Sequence, residues 1–470
     1  MDGFEFDDER EDGLFSLIER FEQSQKNNAS IYFDQDAYEA IIDYYLDFNR
    51  TEEAKKVIDI ALEQYPNSTY ILLKKAQILF DMKMPAAALK LLDKAEIYDS
   101  SELGIFLLRA EIFASQGHYR MAIELLKEKA STVPDPDYID IQLMMADIYE
   151  DFEQYNEVFD CMVRCLSKAP EDEEALDRIN YTVEITERFV ESIELHKKLS
   201  DDFPYNELIW YNLSCAYKGA GKIEEAIEAL EFVLAINENI DYAYQDLAEL
   251  YLSVDNYDKA LDILKDFEGF FTPDEEIYFL RGQCYEGKED MKMARYNYKK
   301  SCHVNPSYAE AFYKLGEAYK HDDKWEQSYK AFSKAAELEN LYEYRLAEAE
   351  SAMVINKFEE AIDACERCVN IAINRFEAYI VLARIFMLCN DMDTVQEILN
   401  NAKDICKSTI ELQYAECAWL LYSNKSKQGL QKLESLLELQ PEKHLFMYYM
   451  LPELEEIDEI RYLIAAYIEK

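Results

Sequence analysis

One feature restricts what this chain can fold into more than any other: the sequence repeats. The segment EEAKKVIDIALEQYP at 52–66 returns as EEAIEALEFVLAINE at 224–238 and as FEEAIDACERCVNIA at 358–372. Equivalent positions recur in steps of about 34 residues, a period that belongs to stacked supersecondary units and to no single globular core. In that register the chain yields twelve units, beginning at Gln35, Thr69, Leu103, Ile139, Glu173, Glu207, Asp241, Glu275, Ala309, Tyr342, Phe376 and Ile410 and ending at Lys443. Two extra residues, Asp137 and Tyr138, follow the third unit, and the ninth unit is one residue short.

The columns of this layout carry physical meaning. The eighth is almost always small (Ala76, Ala110, Ala146, Ser214, Ala248, Gly282, Gly316), and so is the twentieth (Ala54, Ala88, Ala122, Ala226, Ala260, Ala294). Two helices approach closely only where side chains are small, so these columns predict the crossing point of a helix pair in every unit. The eleventh column is bulky, with Tyr45, Leu79, Phe113, Tyr217, Tyr251 and Tyr319 filling the space beside the crossing. Proline collects in the thirty-second column (Pro66, Pro134, Pro170, Pro204, Pro306, Pro441), where it ends one unit and leads into the next.

This pattern resembles the tetratricopeptide-repeat family over residues 35–443. Unit six carries the family signature most fully, in Trp210, Leu213, Ser214, Tyr217, Ala226 and Leu230. Three units depart from it: unit five with Asn180 and Val183, unit ten with Ala352 in the bulky column, and unit twelve with Glu416 in place of an apolar residue. The resemblance implies an all-α fold, a right-handed α-solenoid superhelix of helix pairs. The first helix of each pair would line a concave groove that binds peptides. The chain is similar to the many cytoplasmic bacterial members of that family.

Composition agrees with an almost wholly helical chain. Glycine and proline number only 11 and 10, and the hydrophobic share of 49% is too high for a disordered chain. The acids outnumber the bases 96 to 49, for a net charge of −47, so bare nucleic acid and anionic membranes are excluded as partners while basic partners remain. No apolar run approaches the roughly 18 residues that span a bilayer, and the acidic start MDGFEFDDEREDG is no secretory signal, which predicts a cytoplasmic protein. The expected organisation is an acidic tail and capping helix over 1–34, twelve repeats over 35–443 and C-terminal capping helices over 444–470. Leu14, Leu17, Ile18 and Phe21 give the N-terminal helix its apolar stripe, for capping the array or for lying in the groove. Ile457, Ile460, Ile464 and Tyr467 do the same at the other end, where capping competes with a contact to a second copy.

A search for chemistry returns little. Cys365 and Cys368 form a CxxC, but in helical columns that other units fill with Ile58, Ala61, Leu92 and Ala95, so core packing is expected, as for Cys161 and Cys165. The five histidines make no HExxH or triad spacing. Gly219-Ala-Gly221-Lys222 lacks the spacing of a phosphate loop and reads as a turn. No catalytic residue, metal site or cofactor is assigned, and the chain is read as no enzyme.

In the resembled family, columns two, five and nine of the first helix face the groove. Sixteen of those 36 positions are acidic here, among them Asp43, Glu111, Asp147, Glu249, Glu317 and Glu350, and one is basic, Arg384. Column two lies in the first helical turn, where carboxylates offset the helix dipole; without it the acid excess is modest, and the scarcity of bases persists. Tyr70, Tyr181, Tyr211, Tyr242, Phe279, Tyr313 and Tyr414 are interleaved among them. The expected partner site is the stretch Tyr211, Tyr242, Gln245, Glu249, Phe279, Gln283, Glu286, Tyr313 and Glu317. The function predicted is a non-catalytic scaffold that holds a basic or extended segment of a partner protein in this acidic, tyrosine-rich groove. Two alternatives stand beside it: a regulatory or enzymatic protein with a site hidden in the array, and a homo-oligomeric scaffold assembled through the C-terminal helix.

Overall fold

The computed structural model describes residues 5–27, 32–407, 409–423 and 425–468, with side chains from Gly13 onward. The acidic start of the chain therefore lies largely outside the described side chains. The fold is all-α, an α-solenoid of antiparallel helix pairs, and the chain divides into two compact units, Met1–Ile236 and Asn237–Lys470.

In the first unit, α1 (Glu5–Lys26) precedes six pairs. They are α2 (Gln35–Asp47) with α3 (Thr51–Gln64), α4 (Thr69–Asp81) with α5 (Pro85–Tyr98), and α6 (Leu103–Ser115) with α7 (Tyr119–Ala130). Then come α8 (Asp135–Asp151) with α9 (Tyr155–Leu166), α10 (Glu173–Thr186) with α11 (Phe189–Asp202), and α12 (Glu207–Gly219) with α13 (Ile223–Ile236). The second unit continues with α14 (Asp241–Ser253) and α15 (Tyr257–Phe267), α16 (Glu275–Gly287) and α17 (Met291–Val304), and α18 (Ala309–His321) and α19 (Trp325–Leu338). Its last three pairs are α20 (Tyr342–Val354) with α21 (Phe358–Ile371), α22 (Glu377–Leu388) with α23 (Met392–Cys406), and α24 (Ile410–Tyr422) with α25 (Ser426–Leu439). Two short helices follow, α26 (Leu445–Met450) and α27 (Asp458–Ile468), each preceded by a 3-10 turn. The inserted Asp137 and Tyr138 are absorbed as an extra N-terminal turn of α8, which starts at Asp135.

The small columns are the crossings. Ala54, Ala76, Ala88, Ala110, Ala122, Ala146, Ala226 and Ala248 are fully buried. Where the eighth column is glycine, an aromatic ring of the second helix takes the place of the missing methyl: a Cβ on Gly282 would stand 2.4 Å from the Tyr298 ring, and one on Gly316 would stand 2.6 Å from Phe332. Where it is Ser or Cys, the side chain donates to the facing helix: Ser214 to the Ala226 carbonyl at 3.0 Å, and Cys417 to Gly429 at 3.2 Å. Unit five puts His196 in the column that elsewhere holds Ile58, Leu92 or Leu230. It is fully buried, its Nδ1 pairs with Ser192, and its Nε2 has no partner among the described residues, so burial pushes its pKa down to about 4. Ala352 is buried in a cluster with Met353 and Val381. The anomalous Glu416 is clamped between the ammonium groups of Lys403 and Lys432, which hold its carboxyl below its ordinary range against the cost of burial.

The turn inside each pair requires one residue in the left-handed region. It falls at column fifteen of every described unit: Asn49, Lys83, Gly117, Glu153, Glu187, Gly221, Asp255, Glu289, Asp323, Asn356 and Asn390, with φ from 55° to 81°. Gly221 thus belongs to a turn. Most of these positions are not glycine, so the scarcity of glycine costs the chain some backbone strain instead of excluding tight turns.

Ile18 and Phe21 of α1 are buried with Tyr38, Ile41, Ile42 and Tyr45 of α2, and Glu22 accepts a hydrogen bond from Tyr45 at 3.2 Å. At the other end Ile460 and Ile464 of α27 join the core of the last pairs, while Ile457 stays 44% exposed. The cysteine pairs lie in the core. Cys365 and Cys368 are buried, and burial pushes the Cys365 thiol well up and that of Cys368 up to about 12. The thiolate that zinc or disulfide chemistry needs is therefore disfavoured.

Candidate partner-binding face

First helices of successive pairs touch within each unit, as α4 with α6, α6 with α8, α14 with α16 and α20 with α22. They form an inner face, and its chemistry differs along the chain.

In the first unit a cavity of about 460 Å³ opens between α4, α6 and α8. Its walls are the apolar Phe80, Ala114, Met144, Ile148 and Phe152 and the acidic Glu111, Asp147 and Asp151. Glu111 and Asp147 occupy the ninth column of units three and four. Glu111 is half-buried, and no cation or donor pairs with its carboxylate among the described residues. Burial, with Asp81 and Asp147 nearby, raises its pKa.

The second unit has a cavity of about 500 Å³ between α14, α16 and α18, lined by Glu249, Leu252, Ser253, Tyr257, Gln283, Glu286, Gly287 and Lys314. Three residues singled out in the sequence, Glu249, Gln283 and Glu286, thus meet in one place. Glu286 accepts from the Tyr298 hydroxyl, and the Lys314 ammonium sits 3.2 Å from Glu286 and 3.3 Å from Glu317. Tyr313 stacks on Tyr344 with centroids 4.9 Å apart, and Gln245 donates to Asp274 at 3.4 Å. Tyr242 is 40% exposed, and Tyr211 lies in the first unit, half-buried. Phe279 is withdrawn from the surface: it is 3% exposed and packs on the rings of Tyr298 and Tyr308. Tyr414 is likewise fully buried, donating to the Gln440 carbonyl at 2.9 Å.

The expectation of a face almost without positive charge requires correction. It was drawn from columns two, five and nine, whereas the cations stand in column six and reach the acids of the preceding unit. Lys74 pairs with Asp43 at 2.8 Å, Arg178 with Asp147 at 2.7 Å and Glu150 at 2.9 Å, and Lys314 with Glu286. Reading column six beside the other three would have found them. The acids left without a cation feel one another: Glu276 and Asp140, like Glu111, have pKa values raised first by burial and then by neighbouring carboxylates.

Over the last three pairs the inner face is covered by the chain itself. The short α26 lies on α24 and α22, with Met447 and Met450 buried beside Ile380, Tyr414 and Ala418. Tyr449 reaches Glu350 of α20, donating to its carboxylate at 3.2 Å, while the Arg384 guanidinium stands 4.7 Å over the Tyr449 ring. Residues 444–470 are therefore not all an end cap. Behind this contact α27 packs on α25.

Among the described residues, no three or more histidine, cysteine or carboxylate side chains converge to hold a metal ion, and no helix is long and apolar enough to cross a membrane.

Two family models agree with this architecture. Tetratricopeptide-repeat family models match residues 39–102 and 217–278. The TPR repeat-containing protein YpiA of Bacillus subtilis strain 168 is 22% identical over 297 residues, covering 60% of this chain and 67% of that protein. Among solved structures, the APC/C hetero-tetramer Cut9–Hcn1 covers 86% of this chain and 96% of its own, at 13% identity and a TM-score of 0.37. YrrB, described as a TPR protein with an unusual peptide-binding site, covers 39% of this chain and 95% of its own, at 14% identity and a TM-score of 0.33. Two stretches of the chain are thus tetratricopeptide repeats, and the helix pairs around them share their pattern. The helix pairs make the chain a protein-interaction scaffold by class.

Proposed function

We propose that this protein is a non-catalytic scaffold that holds a basic, extended segment of a partner protein on its acid-lined inner face. The observation that carries the reading is Glu111, a half-buried carboxylate without a cation on the wall of an apolar-floored cavity, with Asp147 and Asp151 on the same wall. A lysine or arginine side chain suits it: the alkyl stem lies on Phe80, Met144 and Phe152, and the cation relieves the repulsion among the carboxylates. This perturbed carboxyl stands on the inner face and not apart from it, and it favours binding over a hidden catalytic site. In the second unit Tyr242, Gln245, Glu249, Gln283, Glu286, Tyr313 and Glu317 supply a second stretch of the same kind, with Lys314 as its internal counter-ion.

The test is a fluorescence titration of the full chain with an extended lysine- and arginine-containing peptide, and with the same peptide carrying glutamate at those positions. The basic peptide should bind and lose at least about ten-fold in affinity between low salt and 0.15 M, because exposed charges are screened beyond about 8 Å there. Glu111→Gln should weaken it further. Equal binding of both peptides, or no salt dependence, would remove the basis for this reading.

A further inference from the structure

If the repeat continued past Lys443, a thirteenth first helix would begin at His444. The helix that begins one residue later, α26, runs for only six residues before Leu451 and Pro452 end it, and it leaves the stacking direction. It crosses the inner face, on α24 and α22, and through Tyr449 it touches α20, which lies 99 positions back in sequence.

In column nine the covered residue of the last pair is unlike its counterparts elsewhere. Column five of the last two pairs is Ile380 and Tyr414, where the middle pairs carry Gln245, Phe279 and Tyr313, and column nine of the last is Ala418, where the middle pairs carry Glu249, Gln283 and Glu317. Ile380, Tyr414 and Ala418 are 2%, 0% and 0% exposed. Under α26 the face is apolar at Ile380, Tyr414 and Ala418, with Glu350 and Arg384 at its edge around Tyr449, whereas the open stretches carry carboxylates in column nine. A two-turn helix has almost no stability of its own, so α26 is helical only because it is docked. It also leaves its slot imperfectly filled: the Arg384 Nε–H is buried without an acceptor among the described residues, an unfavourable state that a better-matched occupant would relieve.

We propose that the inner face of α20, α22 and α24 is a docking site for a short apolar segment of a partner protein, and that α26 is a built-in occupant which such a segment displaces. The segment carries a tyrosine for the slot between Glu350 and Arg384, flexible apolar side chains in place of Met447 and Met450, and a hydrogen-bond acceptor within reach of the Arg384 Nε–H. This site is separate from the acid-lined stretches and prefers opposite chemistry. The two readings therefore stand or fall independently.

The test opens the slot in the full chain with Met447→Asp and Met450→Asp, which deny α26 its buried anchors. The probe is a fluorescein-labelled synthetic peptide of residues 443–452, followed by anisotropy. The opened chain should bind it at least about ten-fold more tightly than the native chain, in which tethered α26 competes at an effective concentration in the millimolar range. Arg384→Ala in the opened chain should reduce binding while leaving the helical circular dichroism and its melting unchanged. If the double aspartate chain does not fold, Tyr449→Ala serves as the milder opening. Hydrogen exchange provides the second measurement, with the amides of 445–451 in the native chain expected to exchange at least about a hundred-fold faster than those of α24. No saturable binding to the opened chain up to about 1 mM, or equal affinity for both chains, overturns the proposal. So does protection of 445–451 equal to that of α24, which would make α26 a permanent part of the core. Concentration-dependent dimers that exchange α26 between copies would give the slot to a second copy of this chain and equally overturn the partner reading.

Discussion

The inner faces of α6 and α8 and of α20, α22 and α24 present the same columns of the same repeat, yet they have opposite fates. In the first, the ninth column places Glu111 and Asp147 beside an open cavity. In the second, it places Glu350, Arg384 and Ala418 under the chain's own α26. The backbone register is the same, so geometry alone does not decide whether this face is open. Side-chain chemistry does. Glu111, a carboxylate without a cation beside Asp81 and Asp147, is best left in water, whereas Ile380, Tyr414 and Ala418 gain by leaving it, at roughly 25 cal/mol per Å² buried. A repeat array of this kind can therefore carry acid-lined and apolar stretches on one continuous pattern, and a partner is selected by which stretch it matches.

Methionine provides the sharpest way to break this comparison, since each region has one or more. Met447→Ala should destabilise the unit 237–470 by about 3 kcal/mol, because it empties a fully buried site. Met144→Ala, on the wall of the open cavity, should cost about 1 kcal/mol. Thermal or urea unfolding of each variant checks this, and equal losses would mean that the two faces are not differently packed.

Acid separates the regions next, because the first unit contains His196. Its folded pKa of about 4 lies below its unfolded value near 6.5, so the stabilising contribution of the neutral ring is complete above 6.5 and is lost as the pH falls toward 4. The expected loss is about 2 to 3 kcal/mol in the unit 1–236. His196→Leu should abolish that part of the pH dependence, measured as unfolding midpoints between pH 4 and 7.

The turns respond more weakly. Glu153, beside the open cavity, sits at φ 55° and Asn390, in the covered region, at φ 58°. Glu153→Gly should stabilise by about 0.5 to 1 kcal/mol, and Asn390→Gly by only a few tenths, because asparagine already tolerates the left-handed region. The smallest effect on stability is expected from Glu111→Gln. A carboxyl whose folded pKa is raised loses stability as the pH rises through it, so the amide should lift the melting temperature at neutral pH by about 2 °C or less, and not at all in acid. The same substitution should weaken basic-peptide binding, and this opposition would mark Glu111 as a binding group retained at a cost in stability.

Much of this architecture was legible residue by residue. The start of α2 at Gln35, of α4 at Thr69, of α12 at Glu207 and of α24 at Ile410 falls where the 34-residue register puts it, and Ala54, Ala76 and Ala88 are at the crossings. The candidate face was legible in part. Glu249, Gln283 and Glu286 were named and do meet, while Phe279 was named and is core, because Tyr298 and Tyr308 close over it. The column-six cations were missed because their reach depends on the spacing between adjacent pairs, which a column count does not contain. His196 was missed because its column is apolar in the other units.

The sequence by itself determined the period, the helix pairs, the crossings and the turn positions. All of these depend on residues a few places apart or on copies of one pattern, and local sterics and periodicity are sufficient for them. Only the tertiary structure decided which acids are neutralised, which aromatics reach the surface and where α26 goes. Those outcomes depend on contacts between residues far apart in the chain, as with Tyr449 and Glu350, whose balance of burial, charge and unsatisfied hydrogen bonds no local pattern encodes.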